Sequence, residues 1–307
     1  MTRAVVFAYS EVGARCLEAL YEAGIEVPLV CTHEDDPNEA RWFASVAEVA
    51  TRHGSRVSTA DVPADPGLIA EVAALAPDFI FSFYYRRMLP PALLAAPRQG
   101  ALNMHGSLLP RYRGRAPVNW AILNGETETG ASLHYMVAKP DAGNLVDQQA
   151  VPIGPDDTAV VVAGRVADAA VAVLRRNLAG LIAGTAPSRP LDLAAGSYFG
   201  GRKPADGEFQ WTWPATRIHN LVRAVAPPFP GAYAAIAGQV VRVHATRLGA
   251  AAATHSGPPQ LTWAGDVPVA VCGDGRQLEI VDAWLGEERL DARACAAHFG
   301  TEPLRLS

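Results

Sequence analysis

The 307-residue sequence has few cysteines, little net charge and no long apolar run. Its four cysteines are Cys16, Cys31, Cys272 and Cys295. They show neither CxxC nor Cys/His zinc spacing, which predicts reduced, mostly buried thiols and no metal site. A formal net charge of -5 provides no basic field for nucleic acid. Because no apolar stretch has the length of a membrane span and the N-terminus lacks a signal-peptide pattern, we expect a cytoplasmic protein with no membrane insertion.

A dinucleotide fingerprint is also missing from the first strand-to-helix turn. The turn "AYSEVGARC" carries only Gly13, where a dinucleotide site needs three spaced glycines, so no NAD or flavin cofactor is expected. What is present is an alternation of apolar runs such as "AVVFAY", "VPLVCTH" and "DFIFSFYY" with amphipathic helical stretches. This rhythm predicts an α/β fold with a Rossmann-like, mostly parallel sheet, and ligands bound beyond the carboxyl ends of its strands.

The remainder of the chain predicts two more parts. The runs "GASLHYMV" and "NLVDQQAVPI" and a helix from about Thr158 to Ala183 complete a first domain over residues 1–184. Residues 185–207 lose periodicity and gain Gly and Pro, which predicts a linker. Residues 208–307 contain one helix and several short strands, with the hairpin signal "GDG" between two of them, and predict a smaller, open-barrel-like β-rich domain.

The stretch "ALNMHGSLLPRYRGRAP" carries the strongest sign of chemistry. Residues i and i+2 of a strand project to one face, so Asn103 and His105 should lie side by side. Spacing alone does not decide between two interpretations: Asn103 and His105 form a catalytic pair, or His105 caps the next helix. If the loop "KPDAG" folds back, the Asp141 carboxylate would favour a charged imidazole, and the three groups would suit acyl transfer to an amine, with the amide holding the tetrahedral oxygen. His134, within a later strand, is predicted to be a satisfied structural histidine.

These motifs resemble those of the 10-formyltetrahydrofolate-dependent formyltransferases, which share an Asn-x-His strand, an SLLP turn and a later Asp-Ala/Thr-Gly loop. Here they stand as "NMHGSLLP" and "DAG", and the likeness runs from residue 4 to near the end. Within that family, "FSFYYRRML", "FGGRKPADGEFQW" and "HNLVRAVAPPFPGAY" are similar to the members that formylate UDP-4-amino-4-deoxy-L-arabinose in lipid A (lipopolysaccharide) modification and polymyxin antibiotic resistance.

The resemblance implies a role for each motif residue. Asn103 would polarise the formyl group, His105 would transfer protons, and Asp141 would favour the protonated form of His105. The co-substrate would be 10-formyltetrahydrofolate, with no metal and no NAD. The residues implied to bind it are Arg87, Met88, Leu89, Arg115, Val137, Ala138, Lys139, Pro140 and Asp141. Arg202 and Lys203 suit a diphosphate as well as they suit a solvated linker.

The resemblance also ranks the possible acceptors. The first prediction is the 4-amino group of UDP-4-amino-4-deoxy-L-arabinose, and the alternative is another dTDP- or UDP-linked amino sugar such as a 4-amino-hexose. Methionyl-tRNA is a distant alternative. The methionyl-tRNA formyltransferases have a basic insertion after the second strand, whereas the equivalent segment here, "THEDDPNEARW", is short and acidic. A non-catalytic folate- or nucleotide-sugar-binding paralogue would not need a tuned histidine. The familiar family member with this acceptor is bifunctional and carries a second, NAD-dependent decarboxylase domain. Because no such domain follows in this sequence, we expect the decarboxylase activity on a separate protein.

Overall fold

The computed structural model describes residues 1–34, 42–60, 62–251, 257–265 and 267–306. Most of the acidic segment "HEDDPNE" lies outside these residues. The chain folds as two compact units. The first comprises Met1–Pro117, Glu128–Pro152 and Ala163–Gly200, and the second comprises Val118–Thr127, Ile153–Val162 and Gly201–Ser307. Residues 185–200, predicted as linker, thus belong to the first unit; the domain boundaries themselves stay a prediction.

A seven-stranded sheet forms the centre of the first unit, in the order β3-β2-β1-β4-β5-β7-β8. The strands of this unit are β1 (Arg3–Ala8), β2 (Glu26–Cys31), β3 (Arg56–Ser58), β4 (Phe79–Phe83), β5 (Gly100–His105), β6 (Arg113–Gly114), β7 (Glu128–Tyr135), β8 (Leu145–Pro152) and β9 (Tyr198–Phe199). β1 to β5 run parallel, whereas β7 and β8 are antiparallel to their neighbours. The short strands β6 and β9 pair separately, in parallel. The predicted mostly parallel, Rossmann-like sheet is confirmed.

Helices cover this sheet, and its apolar strands form the core. The helices of this unit are α1 (Ser10–Glu22), α2 (Val46–Arg52), α3 (Pro66–Ala74) and α4 (Pro91–Leu94). Helix α5 (Pro117–Leu123) falls almost entirely in the second unit, and the long α6 (Ala159–Ile182) begins in the second unit and continues in the first. The predicted helix from about Thr158 to Ala183 is therefore confirmed. Val5, Phe7 and Ile80 are fully buried in a cluster that also includes Val72 of α3. Their removal from water, at about 25 cal/mol per Å² of apolar surface, is the main force that holds helices on the sheet.

An antiparallel sheet dominates the second unit, in the order β10-β11-β14-β13-β12-β16. Its strands are β10 (Ala232–Ile236), β11 (Gln239–Ala251), β12 (Gln260–Ala264), β13 (Val267–Val271), β14 (Arg276–Leu285), β15 (Glu288–Arg289) and β16 (Leu304–Arg305), and its further helices are α7 (Ala215–Val225) and α8 (Ala292–Phe299). The "GDG" hairpin joins β13 to β14 as predicted. β11 extends to Ala251, into a segment predicted as a loop, and residues 252–256 of that segment lie outside the described residues.

All four cysteines are buried free thiols, as predicted. Burial raises the pKa of Cys16, Cys31 and Cys272 to about 12, and that of Cys295 to about 11. Since the thiolate is the reactive form, these side chains act as packing groups rather than nucleophiles. Among the described residues, no helix combines the length and the apolar character needed to cross a bilayer.

Candidate active site

Strand β5 presents Asn103 and His105 to a single carboxylate. The Asn103 amide nitrogen donates to Asp141 Oδ1 at 3.3 Å, and His105 Nδ1 lies 3.6 Å from the same oxygen. The alternation of a β-strand explains why two residues that are two positions apart reach one partner. The structure therefore brings together the three residues that the sequence predicts as catalytic, near the carboxyl end of a parallel strand.

The loop between β7 and β8 carries Asp141 back to β5. It starts next to β5, where the Met136 N–H donates to the Ala101 carbonyl at 2.7 Å. Asp141 itself has a φ of 48°, in the left-handed region that Asp tolerates better than most residues. The glycine of the "DAG" motif is required by close approach, because a Cβ on Gly143 would lie 1.9 Å from the Tyr135 carbonyl oxygen. The small residues of this loop thus permit the turn that places the carboxylate.

Asp141 is held as an anion by its partners. Its Oδ2 accepts from the Gly114 N–H at 2.9 Å, and its Oδ1 lies 3.5 Å from His134 Nε2. Burial alone would raise the pKa of the Asp141 carboxyl. The charge of His105, the hydrogen bond and charge of His134, and the Gly114 amide outweigh burial and hold that pKa well below its usual range. The group therefore stays negative throughout the neutral range.

This lowered pKa predicts how the stability of the protein depends on pH. The folded state favours the ionised carboxyl, so its contribution is fully present above the unfolded pKa of about 4 and is lost as pH falls towards the folded value. We expect Asp141→Asn to unfold at a lower temperature than the wild type at pH 7, and the gap in Tm to narrow progressively below about pH 4. Thermal unfolding of both proteins between pH 7 and pH 3 measures this gap; a constant gap would contradict the assigned shift.

His105 is buried, and the geometry assigns its protons. The side chain is 7% exposed, and Nε2 lies 2.8 Å from the Tyr112 carbonyl oxygen. A carbonyl only accepts hydrogen bonds, so Nε2 carries a hydrogen and donates it. A second proton is then gained or lost at Nδ1, the nitrogen that faces Asp141. The ring can exchange a proton at one defined atom while its orientation remains constant.

His134 on β7 belongs to the same cluster, a contact that the prediction of a structural histidine did not include. Its Nδ1 lies 2.9 Å from the Tyr135 carbonyl and therefore donates there. In the neutral ring Nε2 is then an acceptor, whereas in the charged ring Nε2 carries a hydrogen that faces Asp141. Nε2 lies 3.1 Å from the Asn103 amide nitrogen, its cross-strand partner in β5. The two amide hydrogens of Asn103 are thus directed to His134 and Asp141. His134 orients the amide.

This contact predicts a role for His134 that differs from packing. We expect His134→Leu to lower kcat by roughly tenfold with little change in KM, because the Asn103 amide loses an acceptor and its orientation. His134→Gln, which keeps an acceptor oxygen, is expected to retain more of the activity. Steady-state kinetics on folded protein, with Tm recorded for each variant, make the measurement. Equal kcat values for the Leu and Gln variants would assign His134 to packing alone.

The turn after β5 is fastened from neighbouring strands. The Ser132 hydroxyl of β7 donates to the Ser107 carbonyl at 2.7 Å and accepts from the Leu109 N–H at 3.1 Å. The Ser107 hydroxyl in turn donates to the Arg111 carbonyl at 2.6 Å. These bonds explain the serine of the SLLP turn, and they direct the chain so that the following residue, Tyr112, meets His105.

Five of the predicted folate-binding residues line one cavity of the first unit. The cavity has a volume of about 740 Å³ and is lined by Val62, Pro63, Ala64, Arg87, Met88, Leu89, Pro90, Pro91, Ala138 and Pro140. The predicted residues Val137 and Lys139 belong to the same loop but do not line it. Sequence analysis missed the wall formed by residues 62–64, which has no motif of its own.

The predicted arginines and Lys203 have other surroundings. Arg115 donates through Nη2 to the Arg86 carbonyl at 3.3 Å. Arg202, in the second unit, places its guanidinium 4.9 Å from the centre of the Trp120 ring and donates to the Asp206 carbonyl at 2.8 Å. Burial lowers the pKa of Arg202 from its usual value. Asp206 also accepts from the main-chain N–H of Lys203. The Arg202 side chain is therefore packed rather than solvated.

Comparison with known families gives two matches along the chain. A family described as "Formyl transferase" matches residues 2–178, and one described as "Formyl transferase, C-terminal domain" matches residues 202–299. The two matched regions cover most of the chain, and the first contains the whole cluster around Asp141.

Solved structures share the fold at low sequence identity. An N-formyltransferase from Helicobacter canadensis, crystallised with folinic acid and dTDP-3-aminofucose, is 20% identical over 91% of this chain and 99% of its own, with a TM-score of 0.70. WlaRD, a sugar 3N-formyl transferase crystallised in the presence of dTDP and 5-N-formyl-THF, is 18% identical over 94% of this chain and 99% of its own, with a TM-score of 0.71. HypX from Aquifex aeolicus, in complex with tetrahydrofolic acid, is 18% identical over 97% of this chain but 47% of its own, with a TM-score of 0.63.

Proposed function

The chain belongs to the formyl transferase family, and from this premise we propose that it transfers the formyl group of 10-formyltetrahydrofolate to the amino group of a nucleotide-linked amino sugar. The observation that carries the proposal is the convergence of Asn103 and His105 on the Asp141 carboxylate. The loop that supplies Asp141 also lines the 740 Å³ cavity through Ala138 and Pro140. The loop between β7 and β8 thus supplies both a residue of the catalytic cluster and part of the cavity wall.

The cavity suits the pterin of a folate donor. Its volume falls within the range of about 300–1,000 Å³ typical of small-molecule sites. Met88, Leu89 and the prolines offer apolar surface for a flat ring, while the main chain of Arg87 to Leu89 and of the Val137 to Asp141 loop is proposed to bind the ring edge. We assign Arg115 to the folate side on the strength of the family resemblance.

The residues of the cluster can perform formyl transfer without a covalent enzyme intermediate. The amine lone pair forms a bond to the formyl carbon, and the bond from that carbon to the folate nitrogen N10 breaks. His105 takes the amine proton at Nδ1 and returns it to N10, so the protons balance. Asp141 stabilises the imidazolium in between. Asn103 donates to the tetrahedral oxygen by exchanging one of its present acceptors, an interaction worth about 2.7–4 kcal/mol in comparable sites.

For the acceptor, we propose UDP-4-amino-4-deoxy-L-arabinose, which would place the reaction in lipid A modification in the cytoplasm. The support is the similarity of the segments around Arg202 and Lys203 to the enzymes with that acceptor, and we assign these two residues to the diphosphate. A dTDP- or UDP-linked amino-hexose is the second candidate. The observation that favours it is the presence of dTDP-3-aminofucose and of dTDP in two proteins of the same fold.

One assay tests both the reaction and the acceptor. Purified protein is mixed with 10-formyltetrahydrofolate and, in parallel, UDP-4-amino-4-deoxy-L-arabinose, dTDP- and UDP-linked amino-hexoses, and methionyl-tRNA. Release of tetrahydrofolate and the mass of the formylated product are recorded. We expect turnover with a nucleotide sugar and the highest kcat/KM with the arabinose. Turnover with tRNA alone would refute the proposal, and binding of both ligands without release would identify a non-catalytic paralogue.

A further inference from the structure

The segment around Ser197, which the sequence predicts as part of a linker, is hydrogen bonded to the chain that follows the SLLP turn. The Tyr112 N–H donates to the Ser197 hydroxyl at 2.8 Å, and the Arg113 N–H donates to the Ser197 carbonyl at 3.0 Å. Two residues later, the Arg115 N–H donates to the Phe199 carbonyl at 3.0 Å. Ser197 therefore accepts from two successive main-chain N–H groups, once with its side chain and once with its backbone.

The Tyr112 carbonyl lies between those two N–H groups and contacts the candidate active site. It accepts from His105 Nε2 at 2.8 Å. The peptide unit that donates to the Ser197 carbonyl through the Arg113 N–H is the same unit whose carbonyl faces His105. Hydrogen bonds at both ends of a peptide group strengthen each other and fix its orientation. The Ser197 carbonyl thus holds the peptide group whose oxygen accepts from His105, and the Ser197 hydroxyl holds the peptide group before it.

The next residue, Gly114, connects the same chain to Asp141. Its N–H donates to Asp141 Oδ2 at 2.9 Å, and its φ of 97° lies in the region that favours glycine. A Cβ at this position would lie 2.1 Å from the Phe199 carbonyl oxygen, so the two strands β6 and β9 approach too closely for any other residue. The Tyr112 and Phe199 rings stack with centroids 5.2 Å apart. Residues 112–114, which hydrogen bond to His105 and Asp141, are therefore packed against β9.

We propose that Ser197 is a positioning residue for formyl transfer: its hydroxyl holds Tyr112, and through the chain that continues to Gly114 it sets the geometry of His105 and Asp141. The inference rests on the proposed function for its kinetic test. The effect of Ser197 on the placement of the His105 ring can be measured without any formyl-accepting substrate. Tyr112 is 7% exposed, so its N–H finds little water when the Ser197 hydroxyl is removed.

Two variants of nearly equal shape separate the hydroxyl from packing. Ser197→Thr keeps the oxygen, and Ser197→Val replaces it with a methyl group. We expect Ser197→Val to lower kcat about tenfold with KM for donor and acceptor nearly unchanged, and Ser197→Thr to recover most of kcat. Ser197→Ala, which adds no bulk, should behave like the valine variant. Ser188→Ala is the matched control: this serine of the same segment accepts from the exposed Asn144 side chain and should keep wild-type kcat.

The second measurement uses the His105 ring itself. In protein with ¹⁵N-labelled histidine, the hydrogen on Nε2 should give a protected NMR signal in the wild type and exchange with water about tenfold faster in Ser197→Ala. An exchange rate equal to that of the wild type, or a kcat within about twofold of it in both Ser197→Val and Ser197→Ala, would overturn the proposal. If the wild type turns over no nucleotide sugar, the proposed function fails, and the NMR experiment still decides whether Ser197 positions His105.

Discussion

Replacing His105 with alanine is expected to lower kcat by about 10²–10⁴-fold, the usual contribution of a positioned acid or base. The imidazole is the group of the cluster placed to accept and return a proton at a fixed atom, because its Nε2 is bound to the Tyr112 carbonyl and its Nδ1 faces Asp141. In His105→Ala, water could fill the space of the ring, but it would not provide a proton acceptor held in a fixed orientation. Steady-state kinetics with saturating formyl donor and the best acceptor measure the loss.

His53 provides the matched control for this variant. Its ring is partly exposed, pairs with Glu18 and stacks on Tyr21. His53→Ala should leave kcat within about twofold of the wild type. If His105→Ala retained wild-type kcat while its far-UV spectrum and Tm were unchanged, proton transfer would have to be assigned to another group, and the mechanism above would be wrong.

The second large effect is expected for Asp141→Asn, on the order of 10³- to 10⁴-fold in kcat, by comparison with an Asp-to-Asn change beside a catalytic histidine in a serine-protease triad. The asparagine oxygen can still accept from the Gly114 N–H, so the loop need not move. The negative charge next to His105 Nδ1 is nevertheless lost, and the amide hydrogens of the new side chain compete with those of Asn103 for acceptors. KM for the donor should change far less than kcat.

Asp147 offers the control for the charge at Asp141. This aspartate lies in the neighbouring strand β8 and pairs with Arg176 at 2.5 Å and with the Asn177 amide at 2.7 Å. Asp147→Asn also replaces a partly buried aspartate with asparagine, but it does not touch the cluster. We expect this variant to have a lower Tm than the wild type and a nearly unchanged kcat. Similar losses of kcat in Asp141→Asn and Asp147→Asn would indicate a general effect of destabilisation rather than a specific role.

Those parts of the fold and site that depend on local pattern could be predicted from the sequence. Apolar runs alternating with amphipathic stretches predict the parallel strands, because each strand is buried on both faces by the helices that follow it. The i, i+2 spacing of Asn103 and His105 places them on one face of β5. Asp141 is expected beside them only if the "KPDAG" loop folds back, and the family resemblance implies its role. Its approach to β5 depends on a loop whose course no periodicity encodes.

The missed residues depend on strand register and on contacts between distant segments. His134 meets the Asn103 amide because β7 pairs with β5 in a particular register, and a shift of one residue would turn His134 to the other face. Ser197 lies 85 positions from Tyr112 along the chain. A Gly- and Pro-rich stretch without periodicity predicts irregular backbone, and it carries no information on which strand that backbone joins.

The close packing of the Asp141 loop bears on how the proposed donor site could be engineered. Gly143 has no room for a methyl group next to the Tyr135 carbonyl, and Ala138 and Pro140 of the same loop line the cavity. We therefore expect changes in this loop to disturb the position of the Asp141 carboxylate as well. Residues 62–64 also line the cavity and include no member of the cluster. Since we propose that this cavity binds the donor, randomising residues 62–64 is the expected way to change donor preference with the least disturbance of the cluster.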